Sequence, residues 1–340
     1  MGLRIGTLIK SLNIGKKIDS EDLKNKILAV DALVAIYQML AMIRAPDGYF
    51  LTDKKGRITS HLVGIFNREC RLISIGIRSV YVFDGPPHPL KMKIIAKRKK
   101  EKKKYYKQFI LAVKKGDAER AIKLGKRSMF VTDNMINETK KLLKLLGIPI
   151  IQAIHDAEAQ AAYIVNRGDA FALATRDWDA FLYGAKRIVM HWKLTQDDYL
   201  PTKLYDLKEF LEKANLTRRE LIEMAILIGT DYNPEGFKGI GPKTAYKLIK
   251  KYGSVERLIE IGKIKWKWEI RPKEIRDIFM NHPINKNYEI CFSEPDFEGL
   301  IHFLVDKHNF SLSRVRKQIM LAMKALKRPG RQTSLTDLIE

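Results

Sequence analysis

Seven acidic side chains stand at or just after the ends of predicted elements, where their carboxylates could act together. The set is Asp31, Asp84, Asp156, Glu158, Asp177, Asp179 and Asp231. A single Asp after a strand is usually a turn former or a helix cap, but seven carboxylates in one site repel each other and resist ionisation unless a cation neutralises them. Oxygen ligands without paired Cys or His favour Mg²⁺ or Mn²⁺, and two such ions suit phosphodiester hydrolysis.

The elements that must position these acids alternate between strand and helix. Short runs rich in Val and Ile predict buried strands at residues 27–30, 80–83, 148–151, 171–174 and 188–190. Apolar residues at three- and four-residue spacing predict helices at residues 60–75, 133–146 and 157–166. This alternation indicates an α/β fold with a mostly parallel central sheet flanked by helices, which binds ligands beyond the carboxyl ends of its strands.

The overall charge indicates a polyanionic partner. The 340 residues include 63 Lys plus Arg and 39 Asp plus Glu, a net charge of +24. Residues 91–107 alone carry ten Lys or Arg and one acid. Such a run is often a solvated helix face or a localisation signal, but here it directly follows a strand inside a folded region. We therefore expect a nucleic-acid contact.

A glycine-rich turn provides a second candidate for phosphate binding. The segment 236–243 follows a predicted helix at 216–229, which begins with a capping box of Thr217 and Glu220, and precedes a helical pattern at 244–251. Backbone amides and Lys243 would then meet at a helix N-terminus, which suits an anion. A plain turn between helices is the competing interpretation.

Composition also excludes several classes of protein. Cys70 and Cys291 lie far apart without metal-type spacing, so neither a disulfide framework nor a thiolate zinc site is implied. No apolar stretch approaches the length of about 18 residues that a membrane span requires, and the N-terminus lacks a signal-type apolar block. We expect no membrane partner and no secretion.

The order of short motifs resembles the flap endonuclease family of archaeal and eukaryotic replication, over essentially the whole chain. The motifs are residues 1–2, 30–33, 36–38, 59–62, 80–87, 146–149, 157–161, 177–179, 229–232 and 239–243. The resemblance implies a PIN-like nuclease core with a basic helical arch and a helix-two-turn-helix. It also implies a nuclease region at 1–90, the arch at 91–131, a second nuclease region at 132–325 with the helix-two-turn-helix at about 220–255, and a tail at 326–340.

The same resemblance implies roles for individual residues. In the family, the acids at the seven positions above bind two divalent ions, and residues matching Lys91 and Arg98 contact the scissile phosphate. The helix-two-turn-helix can hold a K⁺ ion. The residues with implied DNA-binding roles are Gly2, Tyr37, Arg44, Lys91, Arg98, Gly239, Gly241 and Lys243.

Two departures from the family pattern affect these expectations. Asp156 stands where the family commonly has Glu, so the shorter side chain could loosen one metal or contact it through water. A tail segment has the spacing of a sliding-clamp peptide, but aliphatic residues replace its usual paired aromatics. The implied clamp-binding residues are Gln332, Leu335, Leu338 and Ile339.

The resemblance implies a structure-specific 5′-flap endonuclease with 5′-exonuclease activity, in Okazaki-fragment maturation and DNA repair. Its substrate would be branched DNA with a 5′ flap, and its cofactor would be two Mg²⁺, for which Mn²⁺ could substitute. The protein would be a monomer. We expect an intracellular protein, at the nucleoid of an archaeon or in a eukaryotic nucleus. The alternatives are a related nuclease that cuts bubbles or junctions, a non-catalytic DNA-binding protein and a ribonuclease.

Overall fold

A central sheet organises the chain. A computed structural model describes residues 5–128, 130–190 and 202–326. The strands are β1 (Lys16–Lys17), β2 (Ile27–Asp31), β3 (Arg78–Phe83), β4 (Ile150–Gln152), β5 (Ala172–Ala174), β6 (Arg187–Met190) and β7 (Lys203–Asp206). Their order across the sheet is β1-β7-β6-β5-β2-β3-β4, and the five strands from β6 to β4 run parallel. All five predicted strands are confirmed.

Two antiparallel strands at one edge were not predicted. β7 pairs with β6, and β1 pairs with β7 through the partners Lys16–Leu204 and Lys17–Lys203. Both residues of β1 are exposed, so no apolar run marked this strand in the sequence. The sheet is therefore mostly parallel, as expected, with an antiparallel extension.

Helices cover both faces of the sheet. Within the described ranges they are α1 (Gly6–Ser11), α2 (Ala32–Met42), α3 (Ser60–Ile75), α4 (Met92–Lys114), α5 (Ala118–Ser128), α6 (Asp133–Leu145), α7 (Ala157–Arg167), α8 (Asp179–Leu182), α9 (Leu207–Ala214), α10 (Arg218–Ile228), α11 (Pro242–Tyr252), α12 (Val255–Glu260), α13 (Pro272–Met280), α14 (Phe297–Ile301) and α15 (Leu312–Leu326). The predicted capping box of Thr217 and Glu220 begins α10, and Gly76 ends α3 in the left-handed conformation.

Alternating side chains of the strands pack into two separate hydrophobic cores, one on each face of the sheet. In β3, Val80 and Val82 face the core that includes α7, α8 and α10. Tyr81 and Phe83 face the opposite core, which includes α2, α3 and α15. The strands are buried on both faces, which explains why they read as continuous apolar runs in the sequence.

The basic insertion folds into a pair of helices. α4 and α5 pack together through buried Phe109, Ala112 and Ala121. Phe109 stacks on Tyr49, with ring centroids 5.5 Å apart, so the insertion rests on the segment that follows α2.

Across the described ranges, no helix combines the length and apolarity needed to cross a membrane.

Candidate metal and nucleic-acid site at the sheet edge

The carboxyl ends of three neighbouring strands bring the first acids to one edge of the sheet. Asp31 is the last residue of β2, Asp84 follows β3, and Asp177 lies shortly after β5. β2 lies between β3 and β5, and the chain leaves β2 toward one side for β3 and β4 before returning to the other side for β5. Such a switch in strand order opens a crevice for ligands, so this edge is the expected site.

Asp31 is fixed in a buried position at the start of α2. Its carboxylate accepts a hydrogen bond from the backbone N–H of Val34 at 2.8 Å, and only 6% of the residue is exposed. Burial raises the pKa of Asp31 to about 8, and the nearby charges of Asp84 and Asp156 add to the effect. A neighbouring cation would offset the free-energy cost of ionising the buried Asp31 carboxyl group.

A close approach of two loops positions Asp84. Its carboxylate accepts a hydrogen bond from the backbone N–H of Ala157 at 2.6 Å, across 73 residues of sequence. The next residue, Gly85, lies so close to the main chain at Ile154 that an added Cβ would collide with that carbonyl oxygen. Burial and the charge of Asp156 raise the pKa of Asp84 to about 6, although the Ala157 amide opposes the shift.

Asp156 differs from its neighbours because a cation lies against it. The Lys91 ammonium is 2.7 Å from its Oδ1, and the Tyr183 hydroxyl donates to its Oδ2 at 2.9 Å. Burial opposes ionisation, yet the Lys91 charge keeps the pKa of Asp156 below its ordinary value. The same pairing outweighs burial at Lys91 and raises its pKa.

Three further acids face one another across α7 and α8. Burial raises the pKa of Glu158 well above its ordinary value, and the charges of Asp179, Asp177 and Asp31 add to this. The Thr175 hydroxyl donates to the Glu158 carboxylate at 3.3 Å. Burial also raises the pKa of Asp177, to which Asp231 contributes.

The loop between α10 and α11 carries Asp231 to the same edge. Buried Asn233 accepts from the Thr230 hydroxyl at 2.7 Å and donates to the Ile226 carbonyl at 2.6 Å, which fixes this loop. The charge of Asp231 acts on Lys91. All seven predicted acids are thus linked electrostatically along one edge.

The donor set has the chemistry of a site for a hard divalent cation. Carboxylate oxygens predominate, and burial raises the pKa values of Asp31, Asp84 and Glu158 even though the Lys91 charge favours ionisation of the last two. Among the residues described, however, no three acidic, His or Cys side chains converge on the position of one metal ion. Metal ligation by the seven acids therefore stays a prediction.

The predicted DNA contacts on α2 and after it lie beneath the basic insertion. Tyr37 is half-buried, and the Lys102 ammonium of α4 lies 4.6 Å from its ring centroid. The Arg44 guanidinium lies 3.9 Å from the Phe50 ring centroid, and an added Cβ at Gly125 of α5 would contact it. Burial lowers the pKa of Arg44 to about 10. Both side chains thus contact or approach the inserted helices.

The glycine turn presents an open surface at the start of α11. Gly239 has a positive φ of +81°, and a Cβ at Gly239 or Gly241 would meet nothing within 4 Å. Gly241 caps α11 without a side-chain hydrogen bond, and Lys238 and Lys243 are exposed beside it. A helix N-terminus with open space beside its glycines and two exposed cations gives this turn the features of an anion site.

Several predicted site residues cannot be placed. Arg98 belongs to α4, but its side chain lies outside the described part of the structure. Outside the described residues altogether lie Gly2, Gln332, Leu335, Leu338 and Ile339.

The structure adds residues that the sequence interpretation missed. Tyr183 and Tyr232 both donate to Asp156. Neither has a local signal, since their partner lies 27 and 76 residues away. The sequence interpretation also omitted three exposed lysines, Lys263, Lys265 and Lys267. These lysines alternate with half-buried apolar residues, and this alternation is visible in the sequence. This segment contacts the glycine turn, where the Trp268 and Phe237 ring centroids are 5.0 Å apart.

Comparison with known proteins identifies the family. Sequence models of the XPG N-terminal domain and the XPG I-region match residues 2–105 and 147–231. The chain is 42% identical to Flap endonuclease 1 of Pyrococcus horikoshii over 98% of this chain and 97% of that protein. It is 41% identical to Flap endonuclease 1 of Staphylothermus marinus, over 96% of this chain and 95% of that protein.

Solved structures agree with the sequence comparison. Flap endonuclease-1 from Methanococcus jannaschii superposes with a TM-score of 0.75 at 37% identity, covering 95% of this chain and 98% of that one. The catalytic core of Rad2 in complex with a DNA substrate gives a TM-score of 0.70 at 25% identity, covering 94% and 100%. With the α/β architecture and the acidic edge described above, these matches show that the chain belongs to the flap endonuclease family.

Proposed function

We propose that this flap endonuclease hydrolyses one phosphodiester bond of 5′-flap DNA near the junction of single and double strands, at the acidic edge of its sheet. The observation that carries the proposal is the buried row of acids whose pKa values are raised, because such a row is stabilised by divalent cations. Nucleases of this family depend on divalent metal ions.

The acids of this edge would together hold two Mg²⁺, or Mn²⁺ in their place. Such ions supply, when bound, the positive charge that hydrolysis of a phosphate diester requires. In this proposal Asp31 and Asp84 on neighbouring strands would bind from one side of the crevice, and Asp177 and Asp179 after β5 from the other.

Cations of the chain would hold the phosphate in this crevice. Lys91 ends the turn Pro89–Lys91 at the foot of α4, and its ammonium lies beside the acids with 13% of the side chain exposed. A charge-assisted contact from Lys91, and from Arg98 on α4, would stabilise negative charge that develops on the phosphate. The basic helices α4 and α5 would admit the single-stranded 5′ end and exclude a duplex.

The glycine turn would hold the duplex phosphates. Gly239, Gly241 and Lys243 offer amides and a cation on an exposed surface, and the lysines of 263–267 extend the same charge. Tyr37 would stack on a base near the cut, and Gly2 and Arg44 would contact the DNA as the resemblance implies. A K⁺ ion at the turn stays a prediction.

The cellular role follows from the family. We extend the proposal to Okazaki-fragment maturation and DNA repair by a monomer located with the DNA inside the cell. The tail residues Gln332, Leu335, Leu338 and Ile339 would bind a sliding clamp, weakly, because aromatic anchors carry much of such an interface. In this proposal regions 1–90 and 132–325 form the nuclease, region 91–131 forms the arch, and region 326–340 is the tail that binds the clamp.

A single cleavage experiment tests the central proposal. The chain is incubated with an end-labelled double-flap DNA, with Mg²⁺ or with EDTA, and the cut position is mapped. We expect one Mg²⁺-dependent cut near the junction, leaving a 5′-phosphate and a 3′-hydroxyl, and slower cutting of matched bubble, four-way junction and RNA substrates. Undiminished cleavage in EDTA, or a preference for any of the control substrates, would contradict it.

A further inference from the structure

The carboxylate of Asp156 is already occupied on both oxygens by partners from the protein. Its Oδ1 lies 2.7 Å from the Lys91 ammonium, and its Oδ2 accepts from the hydroxyls of Tyr183 at 2.9 Å and Tyr232 at 3.4 Å. The His282 imidazole is 3.6 Å from the same Oδ2. The donors Lys91, Tyr183 and Tyr232 come from separate parts of the chain, so their hydrogen bonds hold the Asp156 carboxylate in one orientation.

Lys91 is held from two sides by the same group of residues. Its ammonium contacts the Asp156 carboxylate and lies 5.0 Å from the centroid of the Tyr232 ring. Tyr232 is itself buried and 1% exposed, which makes it a rigid support. A lysine has four rotatable side-chain bonds, and these two contacts select one position for its charge.

The other acids of the edge have a different environment. Glu158 lies among Asp177, Asp179 and Asp31, whose charges oppose its ionisation more than the charge of Lys91 favours it. Asp156 instead faces an ammonium and two phenols. It is also one methylene shorter than the Glu that the family pattern commonly has there, so it reaches less far from α7.

We propose that Asp156 is a positioning residue that holds Lys91 at the phosphate-binding edge, with Tyr183 and Tyr232 behind it, rather than a direct ligand of a divalent ion. This inference rests on the proposed function, in which Lys91 contacts the scissile phosphate. A divalent ion coordinated directly by Asp156 would lie close to the Lys91 ammonium, which is 2.7 Å from Oδ1, and the two cations would repel each other. The remaining acids would then supply the protein ligands.

Metal binding, measured without any cleavage, gives the first test. Mn²⁺ is titrated calorimetrically into the full chain and into Asp156→Asn, with Glu158→Gln as the matched control two residues away. We expect the Mn²⁺ affinity of Asp156→Asn to stay within about threefold of wild type and that of Glu158→Gln to fall by more than about tenfold. A loss of about tenfold or more in Asp156→Asn would overturn the inference.

A double-mutant cycle gives the second test. Single-turnover cleavage of flap DNA is measured for Asp156→Asn, Lys91→Ala and the double variant. If Asp156 acts through Lys91, adding Asp156→Asn to Lys91→Ala changes the rate by less than about twofold, although each single change lowers it about tenfold or more. Rate losses that multiply in the double variant would contradict the positioning role.

A milder variant tests the same role in case the Asp156 substitution disrupts folding. Tyr183→Phe removes only the hydroxyl that supports Asp156, so we expect a rate loss of about threefold to tenfold with unchanged Mn²⁺ affinity. An unchanged rate would refute the support role of Tyr183. Failure of the wild-type chain to bind Mn²⁺ or to cut the flap would instead refute the proposed function, which separates the two conclusions.

Discussion

The substitution Asp31→Asn should stabilise the chain in the absence of divalent ions. Asp31 is buried, and its pKa is raised from 3.8 to about 8. An acid with a raised pKa binds its proton more tightly in the folded chain than in the unfolded chain. The stability that this proton provides is complete below about pH 4 and is lost as the pH rises through about 8.

The size of the effect follows from the shift. Because a tenfold change in proton affinity corresponds to about 1.36 kcal/mol, ionising Asp31 in this buried position costs on the order of a few kcal/mol of stability at alkaline pH. Asparagine removes the charge and keeps the cap, because its side-chain oxygen can still accept from the Val34 amide at the start of α2. The carboxamide must also be desolvated, so we expect a net gain of about 2 to 4 kcal/mol at pH 8.5.

Urea unfolding at pH 5 and pH 8.5, with EDTA or with Mn²⁺, measures this difference. In EDTA the variant should gain stability over wild type only at the higher pH. With Mn²⁺ the order should reverse, because only the wild-type carboxylate gains from the ion. A variant that is no more stable than wild type at pH 8.5 in EDTA would refute the reasoning that an uncompensated buried charge strains this site.

Three further changes probe other parts of the site. Asp179→Ala should abolish cleavage, while its affinity for flap DNA in a gel-shift assay stays within about threefold of wild type, because the DNA-binding cations lie elsewhere. Equal loss of cleavage and of DNA affinity would refute the separation of catalytic acids from DNA-binding cations. Gly85→Ala should lower the free energy of unfolding by about 2 kcal/mol or more because its Cβ meets main chain, whereas Gly241→Ala, which meets open space, should cost less than about 0.5 kcal/mol. Lys243→Ala should reduce the slope of log affinity against log salt by about 0.9, and exposed Lys208→Ala on α9 should leave it unchanged. Equal slopes for the last two variants would argue against a phosphate contact at the turn.

The sequence alone determined the parallel core and the edge that carries the acids. Strands buried on both faces are apolar runs, and the acids at their carboxyl ends interrupt those runs, so both features are local. The capping box of α10 and the glycine turn are local as well. β1 was missed because its two exposed lysines carry no periodic signal.

Only the tertiary structure decided which partners surround each acid. Lys91 and Asp156 are 65 residues apart, and Tyr232 lies another 76 residues further along the chain. The packing of loops from three elements makes these contacts, and no spacing in the sequence encodes them. The folded structure thus distinguishes Asp156, neutralised by a lysine, from Asp31, left charged and buried, although the two look equivalent as acids that follow predicted strands.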